Sequence, residues 1–197
     1  VTVAHYEIPF PTDEASVRSL RAGDTVTLQG EVIGIRDATQ IRIFDQGQAP
    51  PFSLLGAALL HTAPNVRKLA DGSYEPMCIG TTTSARMSRF TEGLIRDHGA
   101  RAIMGKGGLL PEALVPLREH GGVYLAIVGG AAALETTQIE SIAQVEWEDL
   151  MPECLWRFKV RDFGPLIVGM DSHGESLYEN VQVEAHKRLD NSIYARL

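Results

Sequence analysis

Only two cysteines, Cys78 and Cys154, occur in 197 residues. An iron–sulfur cluster held by three or four thiolates cannot be built from them, nor can a four-cysteine zinc site. So few thiols fit a reducing compartment, and a cytoplasmic location is expected. The histidines add no metal cage. His5, His61, His98, His120, His173 and His186 are scattered, and none has a partner at ligand spacing. All six read as structural or surface residues, and no metal is expected on this chain. No apolar run approaches the about 18 residues of a membrane span. Val1-Thr2-Val3-Ala4-His5 lacks a basic region followed by an apolar one, so no signal peptide is expected. Positive charge is in deficit: 18 Lys and Arg stand against 25 Asp and Glu, for a formal net charge of −7. That balance argues against nucleic acid as a partner. Neither a Gly-x-Ser-x-Gly elbow nor a Gly-x-x-x-x-Gly-Lys-Ser/Thr loop is present.

What is present suits a folded α/β chain. Apolar residues make up 44% of the sequence, which argues against disorder, and the length allows one sizeable core. A single domain over 1–197 is expected. Asp13 is placed to cap a short helix ending near Leu20. Thr25 to Arg36 is β-branched and partly alternating, so it reads as a strand, with Asp37 placed to cap a helix over 38–46. Phe52 to Leu60 is open between strand and helix, and 64–74 reads as loop. Then strand and helix alternate. Met77 to Gly80, Ala102 to Met104 and Val123 to Val128 read as strands. Ser84 to His98, 111–120 and about 131–143 read as helices, the last entered through Gly129-Gly130. This order predicts a parallel sheet covered by helices. Leu155 to Arg161 and Leu166 to Met170 read as two further strands, and 178–197 as a terminal helix.

Two segments concentrate chemistry at predicted strand ends. Gly80-Thr81-Thr82-Thr83-Ser84-Ala85-Arg86-Met87 gathers hydroxyls ahead of a helix. Its plain reading is an N-cap cluster. Arg86, one turn beyond Thr82, admits a second reading in which both face one ligand. Gly105-Lys106-Gly107-Gly108 lets backbone amides approach an anion beside a point charge, or is simply a flexible turn with a solvated lysine. Arg36-Asp37 gains meaning only if the fold brings it to the other two. Trp147 and Trp156 read as core or interface.

Taken together, these segments resemble one family. Arg36-Asp37, His61-x-x-Pro64-x-Val66-Arg67-Lys68, Thr82-Thr83-Ser84-x-Arg86-Met87, Gly105-Lys106-Gly107-Gly108 and Gly129-Gly130-x-Ala132 are similar to the β subunit of iron–sulfur hydro-lyases. That group includes L(+)-tartrate dehydratase and class I fumarate hydratase. Met151-Pro152-Glu153-Cys154-Leu155-Trp156 and Phe163-Gly164-Pro165-Leu166-Ile167-Val168 look nearest the tartrate dehydratase branch. The resemblance implies a swivelling β/β/α domain with a largely parallel sheet flanked by helices. It implies a hetero-oligomer with an α subunit that holds a four-iron four-sulfur cluster, and reversible hydration or dehydration of a small dicarboxylate. Thr82 would move the proton, and Arg36, Arg86, Lys106, Gly105 and Gly107 would bind substrate. Two positions depart from the family pattern. Gln40 stands in the region of a family histidine, and Gly80-Thr81 stands where the family has Gly-Pro. The other reading is a non-catalytic module that binds anions or subunits and has kept the fold.

Overall fold

The structure, a computed structural model, describes residues 3–127 and 132–190. The first strand, β1 (His5–Phe10), leads into α1 (Glu14–Arg18), capped by the Asp13 carboxylate, which accepts from Ser16 N at 2.8 Å. β2 (Thr25–Ile35) follows, then α2 (Asp37–Phe44) and β3 (Ala58–His61). A hairpin of β4 (Asn65–Lys68) and β5 (Tyr74–Cys78) stands apart as its own two-stranded sheet. Next come β6 (Ala102–Gly105), α3 (Leu114–His120), β7 (Val123–Ala126) and α4 (Ala132–Thr137). The chain ends in β8 (Ile139–Glu146), β9 (Leu155–Met170) and α5 (Leu177–Asp190).

Seven strands form one sheet in the order β1-β2-β3-β6-β7-β9-β8. From β1 to β7 every neighbour is parallel, whereas β9 runs antiparallel to β7 and β8. β9 also pairs antiparallel with β2, so β2, β3, β6, β7 and β9 close into a ring. The sheet is therefore mixed, parallel at its centre and antiparallel at its flank, as in a swivelling β/β/α domain.

Strand alternation sorts the core into two clusters. Ala58 and Leu60, Ala102 and Met104, and Val123 and Leu125 pack in one cluster with Trp156, Phe158 and Phe163. The residues between them, Leu59, Ile103 and Tyr124, pack in the other against the helical segments, with Ile43, Met87, Leu94 and Leu117. Both faces of these short strands are thus buried, which is why they read as continuous apolar runs. Each fully buried Leu or Ile contributes roughly 1.5–3 kcal/mol.

Several expected elements are redrawn. Residues 64–74 are not a loop, since β4 lies within them, and the strand expected at Met77 sits earlier, at Tyr74–Cys78. No continuous helix runs from Ser84 to His98. A 3₁₀ stretch, Ala85–Phe90, passes into a π-helical turn, Gly93–Asp97. The helix expected over 131–143 stops at Thr137, and β8 begins two residues later because its edge is taken up by β9. Leu155 to Arg161 and Leu166 to Met170 are one strand. It continues through Asp162 (φ 52°) and Gly164 (φ 138°) as a register irregularity against β2. Val128, Gly129-Gly130 and residues 191–197 lie outside the described residues.

Candidate functional site

Parallel strands deliver their carboxyl ends to one edge. β2 ends at Arg36-Asp37, β3 at His61-Thr62 and β6 at Gly105-Lys106, and the three strands are adjacent. Parallel α/β sheets, open or closed, characteristically place ligands at the carboxyl ends of their strands. A groove of about 920 Å³ lies at the opposite end, before β3, β6 and β7, lined by Phe52, Leu55, His98, Arg101 and His120. There Arg101 is already engaged by the carbonyls of His120 and Gly121 at 2.7 and 3.1 Å.

The threonine run threads between the ends of β3 and β6. Thr82 N donates to the His61 carbonyl at 2.8 Å, and Lys106 N donates to the Thr82 carbonyl at 3.2 Å. Ser84 N donates to the Lys106 carbonyl at 2.9 Å. The Thr62 hydroxyl donates to the Ile79 carbonyl. These residues are bridged like strand, not wound as the first turn of a helix, which begins only at Ala85. Thr82 is thus fixed through its backbone and buried. Its hydroxyl has no hydrogen bond to a described residue.

Cations surround this segment. Arg86 grips Asp37 through Nε (2.8 Å) and Nη2 (2.5 Å), and its Nη1 donates to the Thr83 carbonyl at 3.1 Å. Arg36 Nε lies 3.3 Å from Asp37 Oδ2 and 3.4 Å from Glu153 Oε1. Glu153 also accepts from Ala38 N at 2.8 Å, in the first turn of α2. α2 itself is entered at Arg36, not capped by Asp37, with the Thr39 hydroxyl accepting from Arg36 N at 2.7 Å. Burial pushes the Asp37 carboxyl up, but its pair with Arg86 outweighs this and holds it below the usual carboxylate range. Lys106 is exposed and makes no ion pair with a described residue. Gly107 (φ 78°) turns the chain away behind it.

The expected site residues Arg36, Thr82, Arg86, Lys106, Gly105 and Gly107 therefore converge. Gly105 is placed differently from expectation, because the space over it is filled by Ser84 Oγ, which a Cβ at this position would strike. Gln40 is fully buried, its Nε2 donating to Met87 Sδ at 3.1 Å. Sequence reasoning passed over Asp37 and Glu153 as braces for the arginines, and over His61, Ser84 and Tyr124. His61 is 1% exposed, its Nδ1 is 2.9 Å from Ser84 Oγ, and burial draws its pKa down to about 3. The signal that marks it is strand parity, which puts His61 on the face of Leu59 rather than on the surface.

Buried polar atoms without a hydrogen bond gather here. Of eight such side-chain atoms in the described residues, four belong to this end: Arg36 Nε, Gln40 Oε1, His61 Nε2 and Thr81 Oγ1. Each such atom costs roughly 1–3 kcal/mol unless something pairs with it. They make this end of the sheet the most polar part of the described interior.

No group of three or more His, Cys, Asp or Glu among the described residues is arranged to hold a metal ion. Cys154 is buried and its pKa is pushed up to about 11, so its thiol is a poor ligand and a poor nucleophile. The residues of this chain do not fit a four-iron cluster.

The family model described as Fumarase C-terminus matches residues 4–181. A Methanocaldococcus jannaschii protein, provisionally named L(+)-tartrate dehydratase subunit beta, is 38% identical over 90% of this chain and 93% of its own. The L(+)-tartrate dehydratase subunit beta of Escherichia coli K12 is 36% identical over 90% of this chain and 89% of its own. A Geobacillus stearothermophilus protein, provisionally named fumarate hydratase class I, is 36% identical over 91% of this chain but only 34% of its own length. Matches of this extent identify the chain as a member of the fumarase C-terminal family, and over 90% of its length it is similar to two proteins that carry the name L(+)-tartrate dehydratase subunit beta.

Proposed function

We propose that this chain, as one domain over 1–197, is the β subunit of an iron–sulfur-dependent hydro-lyase. Its substrate is a small dicarboxylate of the tartrate or fumarate and malate type. The observation that carries this reading is the pairing of Thr82, whose hydroxyl has no hydrogen bond to a described residue, with an exposed Lys106 that makes no ion pair with a described residue, the two joined by the Lys106 N to Thr82 O bond. Two relatives of nearly equal length carry the tartrate dehydratase β-subunit name, which supports the substrate class.

In this reading Thr82 moves the proton at the carbon beside a carboxylate. Removing that proton builds negative charge on the carboxylate, and fixed cations stabilise it. Lys106 and the outer N–H groups of Arg36 and Arg86 supply them, with Gly105 and Gly107 giving the backbone close approach. A threonine hydroxyl is a weak base at its free pKa, and the neighbouring ammonium favours its ionised form. With two cysteines here, the cluster belongs to an α subunit, and the working enzyme is a hetero-oligomer. The Geobacillus relative, about three times longer than this domain, fits a family in which the domain works joined to another. Both cysteines are free, in keeping with a cytoplasmic setting.

The test is anaerobic co-expression with a cluster-bearing partner. The expected result is a complex that contains iron and turns over tartrate or hydrates fumarate. An iron-loaded complex that binds diacids but converts none contradicts the reading and favours a non-catalytic anion-binding module.

A further inference from the structure

Three neighbouring strands set up a buried polar chain beneath the threonine run. By alternation His61 on β3 and Gly105 on β6 share the helix-covered face with Leu59 and Ile103, and Tyr124 on β7 lies on the same face. A side chain at position 105 would separate His61 from Tyr124. Glycine leaves the space open, and Ser84 Oγ occupies it. Ser84 is then bonded on both sides. The Tyr124 hydroxyl donates to Ser84 Oγ at 3.0 Å, and Ser84 Oγ lies 2.9 Å from His61 Nδ1. All three side chains are buried.

Read from the tyrosine end, the chain of donors has one direction. The Tyr124 hydroxyl gives its single proton to Ser84. The proton of Ser84 then goes to His61 Nδ1, which accepts it in this arrangement. A neutral imidazole in that position carries its hydrogen on Nε2. That nitrogen is buried without a hydrogen bond. The same histidine holds the reactive segment, since its carbonyl accepts from Thr82 N at 2.8 Å.

We propose that Tyr124, Ser84 and His61 form a buried relay that positions Thr82, with His61 locked as the neutral Nε2–H tautomer. The proposal rests on the reading of Thr82 as the proton-moving residue. His61, Ser84 and Tyr124 are positioning residues in it. Two further facts support it. Burial keeps His61 uncharged, with the nearby Asp37 opposing and Arg86 reinforcing the effect. Burial likewise pushes the Tyr124 hydroxyl up, so it keeps its proton. Asp37 and Arg86 from the site and Tyr124 from β7 are the charged and titratable groups that bear on this ring.

The experiment has two parts. Nitrogen NMR of the histidine-labelled chain should show His61 with a bare Nδ1 and a protonated Nε2 from about pH 8 to about pH 5, where an ordinary histidine has titrated. In Ser84→Ala and Tyr124→Phe the Nδ1 resonance should move, and amide exchange at Thr82 should speed up about tenfold while that at Val26 in the core stays unchanged. Tyr124→Phe keeps the ring and tests the relay if the serine variant folds poorly. In the complex with an α subunit, both variants should lower kcat about tenfold at an unchanged KM. A protonated Nδ1, or an imidazolium at about pH 6, overturns the relay. So does an active complex in which both variants keep full kcat. A wild-type complex inactive on every diacid removes the functional reading alone, and the spectra and exchange rates still decide whether the relay exists.

Discussion

Asp37 binds Arg86 through both carboxylate oxygens, at 2.8 and 2.5 Å, across 49 residues of sequence. A fork-to-fork pair fixes the plane of the guanidinium as well as its position. Because Arg86 also donates to the Thr83 carbonyl, the pair ties the end of β2 to the threonine run. Asp37→Asn should leave the fold intact and let Arg86 turn, raising KM for the diacid about tenfold with a smaller change in kcat. Steady-state kinetics of the assembled enzyme check this.

The same pair sets an acid limit. Asp37 is held below its ordinary value of 3.8, so the folded state favours the carboxylate. Its stabilisation is complete above that unfolded value and is lost as pH falls through the lower folded one. The stability difference between wild type and Asp37→Asn should therefore be constant at neutral pH and shrink at a pH below 3.8. Denaturant titrations at several pH values measure it.

His61 predicts a different window. Its folded pKa, about 3, lies below the 6.5 of the free side chain, so the unfolded chain binds the extra proton. Stability from this group is full above 6.5 and falls as pH drops below it, by about 1.4 kcal/mol per unit. His61→Asn should flatten that part of the pH profile. A variant that keeps the wild-type slope contradicts the assignment.

Gly105 and Ser84 should be coupled. A Cβ at 105 strikes Ser84 Oγ, while its next neighbours, Thr82 O at 3.1 Å and His61 Cβ at 3.4 Å, need give way by only a few tenths of an ångström. Gly105→Ala should destabilise the chain by about 1–3 kcal/mol, and Ser84→Ala in the same chain should restore much of that loss. Additive losses would show that the two do not compete for space.

The sequence made the parallel centre legible because strands buried on both faces are short apolar runs between turn signals. It did not show β9 as one strand, since Asp162-Phe163-Gly164-Pro165 reads as a break. Asp162 and Gly164 instead take positive φ values and carry the pairing through. Nor did it show β8, where Glu140, Ala143 and Gln144 favour helix and pairing with β9 overrides them. At the site, Arg36, Thr82, Arg86 and Lys106 were readable as strand-end residues. The relay was not, because His61, Ser84 and Tyr124 are separated by 23 and 40 residues and meet only when β3, β6 and β7 stand side by side.

The central claim is that Thr82 moves the proton, and the direct measurement is turnover of the assembled enzyme carrying Thr82→Ala, with iron content and thermal midpoint recorded alongside. The predicted result is a loss of about a hundredfold or more in kcat, with iron, midpoint and diacid binding retained. Turnover within about twofold of wild type under the same conditions would contradict the account.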